Sequence, residues 1–220
     1  MRTKLLVAAG ILAAGLATSM AQSNVYSLNV VGYVNKPFVA GGFTAAANPL
    51  NATNNSLNTI MQGTQVPDNT LVFLWDAAAQ DFSATLPSYN ATAGNWVPDV
   101  TIDPGTGFFV FAPTAYTNTF VGEVAQGSTT VPIPSNFGLI SSPPPIGGDV
   151  GNVLEGLPAA DNDLALKWDT TAQDFLTIAT YSAASSAWVP ANVQFDVGEG
   201  ILFFHNGTDT SWVRNFTVTP

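Results

Sequence analysis

One eight-residue stretch occurs twice in the chain, and this repetition constrains the fold more than any other feature. WDAAAQDF spans residues 75–82 and WDTTAQDF spans residues 168–175, and six of the eight letters agree at an offset of 93. A period of this length is the size of a small domain and far exceeds the repeats of solenoids or propellers. The repetition therefore predicts two similar modules in tandem.

The same offset aligns two segments that have helical spacing. SLNTIMQG, which begins at Ser56, falls on DVGNVLEG, which begins at Asp149. Both first residues are good N-caps, the apolar residues follow at i, i+3 and i+4, and both segments end in glycine. Each module should therefore contain one short helix of about two turns.

Two further pairs of aligned segments have the composition of strands. LVFLW falls on LALKW, and we expect the face that carries Trp75 and Trp168 to be the core face. The opposite face carries Lys167, which predicts contact with solvent there. GFFVF falls on GILFF, and because both faces are apolar this segment should be a central strand that is covered on both sides.

These patterns predict a mainly β fold of two homologous antiparallel modules, barrel- or sandwich-like, each with one short helix. We place the modules at residues 22–124 and 125–220. Residues 125–136, AQGSTTVPIPSN, are expected to connect them. The TVPIP segment within this connection can alternatively pair as an edge strand.

The first 21 residues have the features of a secretory signal peptide. Arg2 and Lys4 precede an apolar run of about twelve residues, and small residues at Ser19 and Ala21 predict cleavage after Ala21. The run is too short to span a membrane, which takes ~20 apolar residues. We expect an exported protein, extracellular, at the cell surface or in the periplasm, with no membrane span after removal of the signal.

Composition excludes several functions for residues 22–220. This part of the chain has three basic and fifteen acidic side chains, a formal charge of −12, which repels nucleic acid. The absence of cysteine excludes thiolate catalysis, iron–sulfur clusters and cysteine-ligated zinc. We predict no cofactor, and a glycan or an envelope or extracellular protein as the partner.

The aspartates of the octet favour a structural role. An aspartate at the start of a turn binds the backbone two residues later, which accounts for Asp76 and Asp169 without a substrate. Asp81 and Asp174 can do the same on the return side. Alternatively, each pair is a general acid and base, or a calcium site.

Other candidate residues also have simple structural explanations. DPGTG and DVGEG precede strands rather than helices, so their glycines indicate tight turns and not a phosphate loop. His205 is the only histidine and is expected at the surface, at the end of a strand. Asp161-Asn162-Asp163 has alternating oxygen ligands as in a calcium loop, but a polar turn is favoured. We therefore predict no catalytic and no metal-binding residue.

Trp96 and Trp188 are the ligand-binding candidates that remain. Each follows a turn and precedes Val-Pro, which is compatible with a position in the core or at a rim. At a rim, the two indoles would stack on sugar rings, and two similar sites would gain avidity.

Four motifs follow one another in the chain: NVVGYVN after the signal, then NPLN, GTGFFVF and TFVGEV. In these motifs the chain resembles a family of exported proteins of environmental Gram-negative bacteria. Its members have the same twice-repeated plan, and the resemblance covers the whole chain after the signal. It implies export and duplication, but it implies no activity and no functional residue.

The leading functional hypothesis is an exported, non-enzymatic protein with a structural or adhesive role at the envelope or outside the cell. A tandem carbohydrate-binding module is the first alternative. The second is an extracellular polysaccharide hydrolase, which requires two carboxylates facing each other across a cleft.

Overall fold

The computed structural model describes residues 30–218, and the signal segment and the cleavage position after Ala21 lie outside the described residues. The fold is mainly β, with two helices of one turn each, α1 (Leu57–Ile60) and α2 (Val150–Val153). The strands of the first half of the described chain are β1 (Val31–Phe38), β2 (Gly42–Ala47), β3 (Leu71–Phe73), β4 (Trp75–Asp76), β5 (Asp81–Phe82), β6 (Ser88–Asn90), β7 (Asn95–Val97), β8 (Gly107–Ala112) and β9 (Tyr116–Glu123). Those of the second half are β10 (Gly127–Ile133), β11 (Asn136–Ile140), β12 (Gly148–Asp149), β13 (Leu164–Asp169), β14 (Asp174–Ser182), β15 (Ala187–Val189), β16 (Gln194–Phe195), β17 (Ile201–His205) and β18 (Thr210–Phe216).

Two five-stranded sheets with matching topology form the body of the molecule. The first has the order β2-β8-β3-β6-β7 and the second the order β11-β17-β13-β14-β15. All pairings within both sheets are antiparallel. A two-stranded ribbon accompanies each sheet, β1–β9 in the first module and β10–β18 in the second. The predicted pair of antiparallel modules, each with one short helix, is confirmed.

The helices are shorter than the predicted two turns. The carboxylate of Asp149 caps α2 by accepting the N–H of Asn152 at 2.9 Å, as the sequence predicts. Ser56 is the N-cap of α1 but makes no side-chain cap bond. Gly63 and Gly156 do have the positive φ expected after the helices, at 119° and 76°.

The connection predicted at residues 125–136 is wrong for most of its length. Residues 127–133 form β10, which pairs antiparallel with β18 along its full length. The alternative of an edge strand for TVPIP is therefore confirmed. Alternating exposed and buried residues in β10, with Val131 and Ile133 buried, account for the pairing.

The expected orientation of β3 and β13 is also corrected. Val72 and Ala165 are fully buried in the cores of their own modules, so the face expected to be wet is the module core. Trp75 and Trp168 lie on the opposite face and pack in a third cluster between the modules. A lysine is compatible with this core face because the ammonium group of Lys167 reaches the carboxylate of Glu199.

The third cluster explains why the central strands are apolar on both faces. Within β8, Phe108 and Val110 pack in the first module's core, whereas Phe109 packs in the cluster between modules. We call this cluster the interface cluster. It is formed by Phe43, Ala45, Phe73, Trp75, Phe109, Leu139, Trp168, Phe175 and Leu202.

Within residues 30–218, no helix has the length and apolar character that a membrane crossing requires.

Candidate functional site

The repeated octet forms a tight hairpin in each module, and its first aspartate builds the turn. The Asp76 Oδ1 atom accepts the backbone N–H groups two and three residues later, at 3.0 and 3.1 Å. Asp169 Oδ1 accepts the equivalent groups at 2.8 and 2.9 Å. The structure therefore confirms the predicted turn chemistry of these two residues.

The tryptophan and glutamine of the first octet bind the edge of the other module. Trp75 Nε1 and Gln80 Nε2 donate to the backbone oxygen of Phe137 in β11, at 2.8 and 3.0 Å. The N–H of Phe137 donates in turn to Gln80 Oε1 at 2.9 Å. The side chain of Gln80 thus pairs with an edge strand as a neighbouring strand would.

The second octet makes the same contacts in the opposite direction. Trp168 Nε1 and Gln173 Nε2 both donate to the backbone oxygen of Phe43 in β2, at 3.0 Å. Gln173 Oε1 accepts the N–H of Phe43 at 2.6 Å. We call these two sets of contacts the edge clasps. Each module therefore holds the edge strand of the other.

Backbone strain in the octets points to a need for the glutamine side chain. Gln80 and Gln173 have φ values of 53° and 56°, the left-handed region in which glycine is the usual residue. The strained conformation costs about 1–2 kcal/mol for a residue with a Cβ atom. A glycine would avoid this cost but would lose the clasp, and both modules have glutamine.

The phenylalanine that ends each octet packs against the tryptophan that begins it. The Trp75 and Phe82 rings meet edge-to-face at 5.3 Å, and the Trp168 and Phe175 rings do so at 4.9 Å. Phe109 meets the Trp168 ring at 5.0 Å. Trp75 and Trp168 thus occupy like surroundings, in the interface cluster and on the opposite module's edge strand.

The aspartates of each octet face each other across an exposed hairpin. Asp76 pairs with Asp81, and Asp169 pairs with Asp174. Asp81 and Asp174 each accept the N–H of the next residue at 2.7 Å, which differs from the expected bond two residues along. Hydrogen bonds from the backbone N–H groups of residues 172 and 171 hold the pKa of Asp169 below its ordinary value. This arrangement favours the ionised form, and a general acid requires the protonated form.

Trp96 and Trp188 lie in the cores of their modules and not at rims. They are 1% and 7% exposed, and Trp96 Nε1 donates to the backbone oxygen of Met61. Each ring packs against a tyrosine, Tyr89 or Tyr181. Because neither indole offers an open face to solvent, these two positions carry no proposal of sugar stacking.

His205 is buried, which corrects the expected surface position. It is 5% exposed, and its Nδ1 atom lies 2.9 Å from Oδ2 of Asp163, which has no exposed surface. The N–H groups of Ala160 and Asn206 also donate to the Asp163 carboxylate, at 2.8 and 2.7 Å. The Asp161-Asn162-Asp163 stretch is therefore a turn that closes on His205. Among residues 30–218, no group of three or more histidine or acidic side chains is arranged to hold a metal ion.

The glycines of DPGTG and DVGEG have two different roles. Gly105 and Gly198 have φ values of 96° and 73°, which confirms the predicted tight turns. Gly107 and Gly200 lie against the backbone of the other module instead. A Cβ atom on Gly200 would be 2.7 Å from the backbone oxygen of Ala46. This second role could not be predicted from the sequence because it concerns a contact between modules.

A charged cleft between the modules was not predicted from the sequence. We define this cleft by Lys36, Thr44, Lys167, Trp168, Asp196 and Glu199, and its volume is about 450 Å³. Lys167 Nζ lies 2.8 Å from Glu199 Oε2, which also accepts the N–H of Asp196 at 2.8 Å. Two of the three basic residues after Ala21 are Lys36 and Lys167. Their scarcity was the available signal, but nothing local to the sequence brings them together.

Lys36 is the least compensated charge in this cleft. It is 8% exposed, and its ammonium makes no hydrogen bond or ion pair with any residue that the structure describes. Burial lowers the pKa of Lys36 below its ordinary value of 10.5, while the Glu199 and Asp196 carboxylates oppose this decrease. The nitrogen atom is not one of the fully enclosed polar atoms without a partner, so the ammonium group keeps contact with the cleft.

Comparisons with family models, with curated proteins and with solved structures gave no significant match.

Proposed function

We propose that the chain is an exported, non-enzymatic protein with a structural or adhesive role at the cell envelope or outside the cell. The supporting observation is the pair of edge clasps. The Trp, Gln and first Asp that both octets share build turns or hold the opposite module. The repeated residues therefore have a complete architectural explanation, and the explanation needs no substrate.

The proposal includes duplication of one ancestral module. Matching sheet orders, matching turns and reciprocal clasps support it. The chain has no cysteine, so disulfides cannot hold the modules together outside the cell. The clasps also engage N–H and C=O groups of the edge strands β2 and β11, which limits pairing with other chains.

The predicted signal at residues 1–21 and the resemblance of NVVGYVN to exported proteins support the location. A glycan or an envelope or extracellular protein is the partner class we propose. The surface of residues 22–220, with a formal charge of −12, disfavours nucleic acid.

Fractionation of a Gram-negative host that expresses the full chain with a C-terminal tag tests the proposal. We expect the N-terminal residue of the processed protein to be Gln22 and the protein to be accessible to protease added to intact cells. The matched control is Ala21→Asp, which removes the small residue that signal peptidase requires and should leave the chain unprocessed. Processed protein that is dissolved in the periplasm and inaccessible at the surface contradicts the role, and an unprocessed cytoplasmic wild type contradicts export.

A further inference from the structure

The charged cleft has a counterpart at the equivalent place on the other side of the interface, and the two differ in charge. The counterpart has a volume of about 400 Å³ and is lined by Leu74, Thr106 and Val131 among others. The strands β1 and β10 are equivalent in their ribbons, and Pro37-Phe38 aligns with Pro132-Ile133. Phe38 and Ile133 are both buried and are the last residues of these strands. The three replacements are Val131 for Lys36, Leu74 for Lys167 and Thr106 for Glu199.

The counterpart shows that the architecture does not need these charges. Both clefts lie beside an edge clasp. The counterpart lacks these three charges and has one carboxylate, Asp209, in its lining, yet it holds its modules with the same tryptophan and glutamine contacts. A valine at the position of Lys36 avoids the cost of burying an ammonium group. The charged side chains are therefore specific to one cleft, which is what a binding site on a duplicated scaffold requires.

The charges in the cleft are not equally available to a ligand. Lys167 and Glu199 are paired with each other, and Glu199 also accepts the N–H of Asp196. The Asp196 side chain is exposed at the rim. Lys36 remains. Its side chain is 8% exposed, and its ammonium group opens on the cleft, can donate up to three hydrogen bonds and has no acceptor among the described residues.

We propose that the charged cleft binds a small monocarboxylate, with the Lys36 ammonium group as the primary donor to the carboxylate. A charge-assisted bond in a partly buried site is stronger than the same bond at an open surface. Lys36 presents a single charge, without the planar fork or the row of backbone N–H groups typical of phosphate sites. Asp196 and Glu199 further disfavour an anion of higher charge.

The cleft also limits the rest of the ligand. Trp168 lines the cleft together with Thr44 and Ala45 of β2, so a compact body of a few carbon atoms fits within about 450 Å³. A hydroxyl or ammonium group on that body can bind Asp196 at the rim. The proposal goes beyond the structural role and does not depend on it.

Lysine-selective NMR of the full chain reports on this site because the sequence contains only three lysines, Lys4, Lys36 and Lys167. We expect acetate to shift the Lys36 side-chain signal saturably, and the Trp168 indole N–H signal with it. Sodium chloride at the same ionic strength is the control. Equal shifts with chloride show ionic screening only and overturn the proposal, as does the absence of a saturable shift. Tighter binding of inorganic phosphate than of acetate overturns the assignment to monocarboxylates.

Two variants distinguish a binding role from a structural one. Lys36→Met should weaken acetate binding about tenfold or more, the usual effect of losing a charge-assisted bond. Asp196→Asn is at the exposed rim, so it should leave folding intact and tighten binding by about twofold, since one nearby like charge is removed. Unchanged affinity in a folded Lys36→Met variant overturns the proposal. Unchanged or weaker acetate affinity of the Asp196→Asn variant also overturns the proposal. The test therefore remains decisive if the Lys36→Met variant fails to fold.

Discussion

Replacement of the clasp glutamines by methionine should weaken the fold by an amount that can be calculated from their contacts. Gln173→Met keeps the length of the side chain but removes its two hydrogen bonds to Phe43 and the bond from Nε2 to the backbone oxygen of Thr170. The backbone oxygen of Phe43 keeps the bond from Trp168, whereas the N–H of Phe43 loses its acceptor. The two lost bonds of Nε2 cost about 1 kcal/mol each and the orphaned N–H of Phe43 about 1–3 kcal/mol, so we expect a loss of about 3–5 kcal/mol.

The same substitution at Gln80 gives a second measurement of the same quantity. Its contacts to Phe137 match those of Gln173, so the two losses in unfolding free energy should agree within about 0.5 kcal/mol. The two glutamines share no partner, so the double variant should lose the sum.

Urea unfolding followed by far-UV circular dichroism measures these losses. Gln65→Met is the matched control because Gln65 is exposed and binds only the backbone of Gln62, three residues away. It should change the unfolding free energy by less than about 0.5 kcal/mol. Losses at Gln80 and Gln173 as small as this control would refute the clasp.

Four other substitutions test three separate parts of the structure. Tyr116→Phe should stabilise the fold by about 1 kcal/mol, because the buried Tyr116 hydroxyl has no partner in the described chain. Tyr89→Phe should destabilise the fold by about 1 kcal/mol, because it removes a hydrogen bond to the backbone oxygen of Gly63. Urea unfolding of both variants measures the sign of each change. Gly200→Ala should cost about 1–3 kcal/mol because its Cβ would clash with the Ala46 backbone, and an unchanged thermal midpoint contradicts that packing. The pKa of Asp169 is lowered in the folded state. The contribution of its carboxylate to the unfolding free energy is therefore present above the unfolded pKa and is lost as the pH falls through the folded pKa. Asp169→Asn should therefore lose less stability than the wild type between pH 6 and pH 3, and an equal loss contradicts the turn bonds.

The fold class could be predicted because the repeated segments carry local signals. Hydrophobic alternation, turn aspartates and glycines act over a few residues, so two antiparallel modules with one helix each follow from the letters. Strand orientation could not be predicted for β3 and β13. Both faces of these strands are covered, one by the module core and the other by the second module, and Lys167 lies on the core face at its edge.

The candidate site was largely hidden from sequence reasoning because it is formed by contacts between modules. Gln80 and Gln173 are part of the repeat, but no local rule indicates that a glutamine binds an edge strand more than 50 residues away. The same holds for Lys36, which comes close to Glu199 only when both modules are assembled. His205 was expected at the surface because Asn-Gly follows it, but its partner Asp163 is 42 residues earlier.

Amide hydrogen exchange at Phe43 and Phe137 tests the central claim most directly. Both residues lie on edge strands, and their N–H groups point away from the neighbouring strand toward glutamine oxygens of the other module. We predict that both amides exchange slowly, through the same opening that exposes the central strands β8 and β17. Exchange of either amide at the rate of an unprotected loop would show that the modules do not hold each other's edges, and would contradict the account.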